Sequence, residues 1–486
     1  MKLLIGIKLF FYFFVISVLV AVSGCASFGE RQLKIRNYFE QGRIETAQKE
    51  LDKSLKKKRR SEIDLLKLNQ SIVKLCSGNP REAEKLLREV RNSFDENERE
   101  RAINIAEKAV SMLADDNAVS YAGEDYEKVL IRVFLALSNL MYDGTDAPAY
   151  ALQIGQKQNE IIQNGTVKDP NNEHKTLNLK AESYRQVAIG PYLIGAMQEE
   201  TLRNYDDVTK AYATVCNWEP DFVQGQRDLE RARTGFHSAP GHGVVYVFGL
   251  VGAGPYKLQQ NCEVLQAAQF WITLSLAMSS QRPIIPDFAP VMIPVVVRPY
   301  EVVPSLTVSI DGKWSAQTET LTDIGRMAEE QFEAVKPQII ARAVIRRSLK
   351  KGIMYGSKEM MDANPWISLA MELGGFLWET LETADTRCWN LLPAEIQAAR
   401  IEVPAGKHRL SLQSSGQVFS LSADGYRRSP SSTRLGKEHS RTIQVDAGRN
   451  TYVLANFPTN NLIGQIVVSN ENDDNNDNEN ENSSPE

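Results

Sequence analysis

The sequence predicts an α+β multidomain protein, with an N-terminal α-helical repeat array, a mixed α/β middle and a small C-terminal antiparallel β domain. Three observations carry that reading. Two N-terminal segments match each other at an offset of 36 residues, with apolar positions at helical spacing. Composition changes abruptly at Ser238-Ala239-Pro240-Gly241-His242-Gly243. Beyond residue 400, apolar and polar residues alternate, as they do in half-buried strands.

The first element is a leader. Lys2 and Lys8 precede an apolar stretch, Leu9 to Val22, broken only by Tyr12 and Ser17. An apolar run of this length followed by small residues reads as a signal peptide rather than a spanning helix. Val22-Ser23-Gly24-Cys25 resembles a lipobox, the site cut by lipoprotein signal peptidase. The chemistry fits that pattern: a thiolate must attack the lipid donor, and small residues let the peptidase reach the backbone. The resemblance implies that residues 1–24 are removed and that Cys25 is acylated at the head of a short linker, 25–30. Several acyl chains hold a membrane stably where one does so only marginally. Ala26 stands where inner-membrane-retained lipoproteins often carry Asp. That implies the periplasmic leaflet of a Gram-negative outer membrane.

Residues 31–235 are expected to be helical repeats. Gly42-Arg43-Ile44-Glu45-Thr46-Ala47, with Leu51 and Ser54 beyond, aligns with Gly78-Asn79-Pro80-Arg81-Glu82-Ala83, with Leu87 and Val90 beyond. A looser third copy holds Tyr205, Val208, Tyr212, Val215 and then Pro220. This resembles the tetratricopeptide repeat, a helix–turn–helix unit. The resemblance implies that Gly42 and Gly78 end first helices, that Ala47 and Ala83 sit where paired helices touch, and that Pro220 closes a unit. The tryptophan that the repeat carries near the start of its first helix is replaced by Tyr192 in the third copy. Tyr126 to Asn164 also has helical spacing, broken at Gly144-Thr145-Asp146-Ala147-Pro148. Lys56-Lys57-Lys58-Arg59-Arg60 reads as a solvated turn or a recognition patch.

Residues 236–400 form the mixed α/β middle. Val244 to Val251, Met292 to Val297 and Val302 to Ile310 read as strands, the last ending in Asp311-Gly312. The prolines between 283 and 304 confine those strands to short runs or edges. Asp323 is a helix N-cap. The helix it starts should run to about Lys351, with Ile324, Met327, Ala328 and Phe332 opening its apolar stripe. Arg342, Arg346, Arg347, Lys350 and Lys351 suit its C-terminal dipole, or an anionic partner. A second apolar helix is expected over Trp366 to Thr383.

Residues 401–468 read as a small β-sandwich-like domain, separate or packed as one unit with 236–400. Val403 to Leu412 is echoed by Val445 to Leu454, each a strand, a glycine turn and a strand, so two hairpins are expected. Residues 469–486 are Asn, Asp, Glu and Ser with a single Pro, a composition that cannot bury a core. Asp385 to Arg400, Val403 to His408 and Gly243 to Lys257 resemble an uncharacterised family of bacterial lipoproteins with N-terminal helical repeats. That family implies no activity. Its genes often neighbour those of a lipoprotein activator of penicillin-binding proteins, which implies envelope work.

The formal net charge of -5 sits in the tail, where seven carboxylates meet no Lys or Arg. The body is close to neutral, which offers no basic footprint for nucleic acid. Gly249-Leu250-Val251-Gly252-Ala253-Gly254 lacks GxGxxG spacing and there is no GK[ST], so no nucleotide or other cofactor is expected. Cys76, Cys216, Cys262 and Cys388 form no CxxC pair, so no metal site is expected; they could be free thiols or disulfides. Asp385 and Arg387 read as an ion pair beside Trp389. The preferred function is a non-enzymatic lipid-anchored adaptor that binds an unidentified envelope protein through its repeats. The alternative is a cell-wall or lipid hydrolase in 236–400, built on His242, His237 and Cys262.

Overall fold

The computed structural model describes residues 28–57, 61–103, 120–164, 166–169, 172–178, 186–202, 204–263, 292–299, 305–359, 384–422, 425–434 and 436–469. Val22, Ser23, Gly24 and Cys25 lie outside them. So do residues 58–60 of the basic run, the apolar segment 366–383 and the acidic tail from 470. The described chain is mixed α+β.

Among the described residues nine helices come first: α1 (Phe28–Glu40), α2 (Ile44–Lys56), α3 (Ile63–Cys76), α4 (Pro80–Ile103), α5 (Asp125–Leu140), α6 (Ala147–Asn164), α7 (Ile189–Glu200), α8 (Tyr205–Trp218) and α9 (Val223–Arg233). Each packs on the next along the chain. Gly42 and Gly78 follow α1 and α3 at φ 73° and 79°. Arg43 N–H donates to the Tyr38 carbonyl, and Asn79 N–H to that of Lys74, each at 2.9 Å. This is the closure of a helix on a left-handed glycine. Ala47 and Ala83 are fully buried on the helices that follow. Tyr212 is fully buried on α8, Tyr205 half-buried at its start, and Pro220 exposed in the turn before α9. The expectation of helices throughout 31–235 needs one correction. An antiparallel ribbon, β1 (Thr166–Asp169) with β2 (Asn172–Asn178), stands between α6 and α7. Thr166, Val167 and Thr176 are β-branched and suit a strand.

Two five-stranded sheets follow. The central one orders its strands β14 (Val467–Val468), β13 (Asn450–Phe457), β3 (His242–Ala253), β9 (Pro393–Pro404) and β8 (Glu319–Asp323). Within it β13 runs parallel to β3 and the other pairs are antiparallel. The outer sheet joins β11 (Gly425–Arg434), β10 (Gly406–Ser422), β6 (Ser305–Ile310) and β7 (Lys313–Gln317), with β12 (His439–Val445) also on β10. β4 (Tyr256–Asn261) and β5 (Met292–Val297) form a separate ribbon. α10 (Ile324–Glu359) starts where the Asp323 carboxylate accepts the Arg326 N–H at 2.8 Å. It continues past Lys351, because an interior Gly352 costs only about 1 kcal/mol. The side chains of Arg342, Arg346, Arg347, Lys350 and Lys351 fall outside the described residues.

β3 is covered on both faces, which is why it reads as an unbroken apolar run. Val245, Val247 and Val251 pack with Ile401 and Val453 against Leu306, Val308, Leu410, Leu412 and Ile443 of the outer sheet. Val244, Tyr246, Phe248 and Leu250 point instead into a core shared with the helices.

One expectation for the C-terminal part is corrected by this topology, and one left open is decided by it. The echoed segments are not hairpins. β9 pairs with β3 and β8, whereas β10 pairs with β6, β11 and β12. Likewise β12 lies in the outer sheet and β13 in the central one. Each glycine turn carries the chain from one sheet to the other, with Gly406 at φ 146° and Gly448 at φ 72°. Alternating burial looks the same whichever strand lies alongside, so the periodicity alone cannot assign the partner. The division at 400/401 also falls inside β9, and both sheets draw strands from both sides of it. Residues 236–400 and 401–468 pack as one unit.

The helices differ in what they face. The odd-numbered helices α1, α3, α5 and α7 face the β region. Arg36 on α1 donates to the Asn390 carbonyl at 3.3 Å, and Asn69 on α3 accepts from Leu391 N–H at 3.2 Å. The Phe134 ring of α5 packs on Trp389 at 5.3 Å, and Tyr192 of α7 on Tyr246 at 6.1 Å. Every residue of α5 from Tyr126 to Leu140 is buried. The even-numbered helices α2, α4 and α6 bury one face and leave the other to solvent.

Candidate functional site

The sheet and the 384–392 loop occupy the inner face of the helices, and the outer face is open to solvent. A cleft of about 360 Å³ opens there, between α4 and α6. Both helices pack on α5. One wall is Arg91, Asn92, Asp95 and Arg99 of α4, the floor is Arg132 of α5, and the other wall is Gln153, Gln156, Lys157 and Glu160 of α6. The wall residues on α6 recur at three- and four-residue steps, the spacing that puts side chains on one helix face.

A polar cluster closes one end. Glu84 is buried and accepts hydrogen bonds from the hydroxyls of Tyr142 and Tyr150, from the Asn139 amide and from Arg88. Burial pushes its pKa up, but these donors together hold it below the usual carboxylate range. Burial, and after it the hydrogen bonds to Glu84, push the Tyr142 and Tyr150 hydroxyls up to about 12. Arg88 also donates to Tyr150 at 2.8 Å, tying α4 to α6.

The floor is an ion network. Arg132 Nη2 donates to both oxygens of Asp95 at 2.8 Å. Lys157, almost fully buried, reaches Glu98 at 2.5 Å and Glu160 at 3.2 Å. Lys128 joins Glu98 at 2.7 Å and Asp125 at 3.0 Å. Burial would raise Glu98, yet Lys128 and Lys157 bring its pKa below the ordinary value. These charges are held in place by one another, which keeps the cleft polar and its shape fixed. Such a surface does not suit an apolar small molecule, whose pockets are lined mostly by hydrophobic side chains. It suits a ligand with charges and peptide groups to satisfy.

The residues proposed for chemistry do not assemble. His242 opens β3 beside Pro404, while Cys262 follows β4 in the separate ribbon. Among the described residues no hydrogen bond joins them. His237 is buried and holds structure, with Nε2 at 2.9 Å from the Asn450 amide oxygen and Nδ1 at 3.0 Å from Ser238 Oγ. Arg387 forms a two-pronged pair with Asp385, each contact at 2.8 Å, beside the buried Trp389. Cys76, Cys216, Cys262 and Cys388 are all free thiols. Burial pushes the Cys76 and Cys388 thiols up to about 12, so neither is a ready nucleophile. Among the described residues no group of three or more His, Cys, Asp or Glu is placed to hold a metal ion. Nor is any described helix long and apolar enough to cross a membrane.

The repeat-packing residues Gly42, Ala47, Gly78, Ala83, Tyr205, Tyr212 and Pro220 lie away from the cleft lining. Gly42, Ala47, Gly78 and Ala83 shape the turns and contacts of α1 to α4, whereas Tyr205, Tyr212 and Pro220 belong to α8 and the turn after it. The lining residues themselves carry no sequence motif. They are ordinary surface charges and amides until α5 brings two helices alongside each other. Comparison with protein-family models, curated proteins and solved structures finds no match to the chain.

Proposed function

We propose that this protein is a lipid-anchored adaptor at the periplasmic face of an outer membrane, and that it binds an envelope protein in the α4–α6 cleft. The single observation that carries the reading is the polar cleft itself, walled by two outer helices and floored by the ion network of α5. The lipobox-like Val22-Ser23-Gly24-Cys25 supports the anchoring. The matched turns at Gly42 and Gly78, 36 residues apart, support tetratricopeptide-like helix pairs. Stacks of helix pairs bind partners along one extended face. Here the inner face is filled by the chain's own sheet, so the partner is assigned to the outer one.

The test is site-directed photo-crosslinking in the native envelope. A crosslinker replacing Gln156 in the cleft should capture a discrete protein, and one replacing Lys210 on the solvent side of α8 should not. Arg132→Ala, which leaves Asp95 only the longer 3.8 Å contact with Lys157, should reduce the Gln156 product. Labelling of both positions alike, or of neither, would sink the reading.

A further inference from the structure

Two guanidinium groups at the cleft have no carboxylate partner among the described residues. Arg91 donates to Asn92 and to Gln153 Oε1, both neutral amides. Arg99 is exposed and, among the described residues, has no ion-pair partner. The neighbouring carboxylates Asp95, Glu98 and Glu160 are already engaged by Arg132, Lys128 and Lys157. An incoming anion therefore meets two guanidinium groups that have no carboxylate partner among the described residues, Arg91 lying also over the Tyr150 ring at 5.9 Å, beside a network whose charges engage one another. Arg91 and Arg99 are eight residues apart on α4, which is about 12 Å along the axis at 1.5 Å per residue. In an extended peptide the side chains of residues i and i+4 share a face and lie about 13 Å apart. The two spacings match. Asn92 and Gln156 supply carboxamides, which can both donate to and accept from a peptide backbone.

The chain itself holds a segment with this pattern. Asp473, Asp477 and Glu481 recur at four-residue steps within a tail that has seven carboxylates and no Lys or Arg. Ser469, the residue before it, is fixed to β13 by its N–H donating to the Tyr452 carbonyl at 2.8 Å. Asp477 and Glu481 lie 8 and 12 residues beyond it, within about 28 and 40 Å of extended chain.

We propose that the α4–α6 cleft is a receptor for an extended acidic peptide, and that its occupant, until the envelope partner displaces it, is the chain's own segment 470–486. This rests on the reading of the cleft as a protein-binding surface and names the chemistry it selects. Charge-assisted bonds from Arg91 and Arg99 to carboxylates four residues apart give the affinity and the register.

The experiment uses a fluorescent synthetic peptide of residues 470–486, titrated against the chain ending at Ser469 and followed by anisotropy at low salt. Saturable binding is expected. The double variant Arg91→Glu, Arg99→Glu should weaken it by at least about tenfold, or 1.4 kcal/mol. Arg99→Gln, a mild change at an exposed site, should give a smaller loss with an unchanged circular dichroism spectrum. A peptide with Asn and Gln in place of every Asp and Glu should not bind. The full-length chain should bind the labelled peptide more weakly than the truncated one, because its own tail competes. Absence of binding to the truncated chain overturns the proposal, as does equal weakening by Lys210→Glu on α8. If the peptide fails while the Gln156 crosslink still captures a partner, the tail is excluded and the adaptor reading stands.

Discussion

Two glutamates with opposite shifts show how the interior handles charge. Glu84 is held below the usual carboxylate range by four hydrogen-bond donors that outweigh its burial. Its stabilising contribution is therefore full above the unfolded glutamate pKa, about 4.3, and is lost as pH falls through the lower folded value. Glu127 is the reverse case. It is fully buried near Glu124, and its pKa is raised even though it accepts from Tyr121 and from the Trp389 and Glu124 N–H groups. Its contribution is full at acid pH and is lost as pH rises through the raised value. Replacing either by Gln removes charge and leaves donors poorly matched, at a cost of about 1–3 kcal/mol. Thermal melts of the two variants across pH 3–7 should therefore diverge. The deficit of Glu84→Gln should grow toward neutral pH, and that of Glu127→Gln should shrink. Parallel deficits would show that the two environments do not differ as described. Neither glutamate stands out in the sequence; nothing local marks Glu84 as a carboxylate that will meet Tyr142 and Tyr150, 58 and 66 residues away.

Turns were the elements most legible in advance, because the left-handed conformation selects glycine wherever it occurs. Gly42 and Gly78 were found by their spacing, and they do take the same conformation with the same closing bonds. Their surroundings differ in a way the spacing could not reveal. A methyl group at Gly42 would meet nothing within 4 Å, whereas at Gly78 it would lie 1.4 Å from Gln465 Nε2. Gln465 is held there by donating from Nε2 to the Ser77 carbonyl at 3.0 Å. Gly42→Ala should thus cost only the left-handed penalty, about 1–2 kcal/mol. Gly78→Ala should cost about 1 kcal/mol more, from the lost Gln465 bond. Denaturant unfolding of both variants would check the order, and an equal cost would mean that the C-terminal segment does not press on the α3 turn. Strand partners were less legible. The alternation in Val403 to Leu412 identified two strands but not that they belong to different sheets. The cleft was not legible at all, because Arg91 and Gln153 become neighbours only through the packing of α4 and α6 on α5.

At the scale of the whole molecule, the helical and β portions share a core. Tyr192, Tyr212, Tyr246, Phe248 and Trp389 meet across the boundary near residue 236, all fully buried. Beneath them Glu199 pairs with Arg231 at 2.8 Å, and Tyr212 donates to it at 3.2 Å. Separating the chain at this boundary would expose the inner face of α3, α5 and α7 together with one face of β3. Residues 28–235 and 236–469 expressed apart should each lack a cooperative thermal transition, and mixing them should restore one. A sharp transition in the helical fragment alone would argue against the shared core. Composition located the change near residue 238, but a change in residue usage marks a switch of secondary structure as readily as a division between folding units.

The placement of β3 also constrains how the fold is reached. Its ladder neighbours are β9 and β13, so Val247 lies opposite Ala399 on one side and Val453 on the other. A chain emerging from its N-terminus would expose this valine-rich strand, with two open edges, until nearly all of the polypeptide had been delivered. Contacts so distant along the chain make folding slow and leave intermediates prone to edge-to-edge association. The molecule therefore needs a period of protection during its synthesis, one that ends only when its last strands arrive.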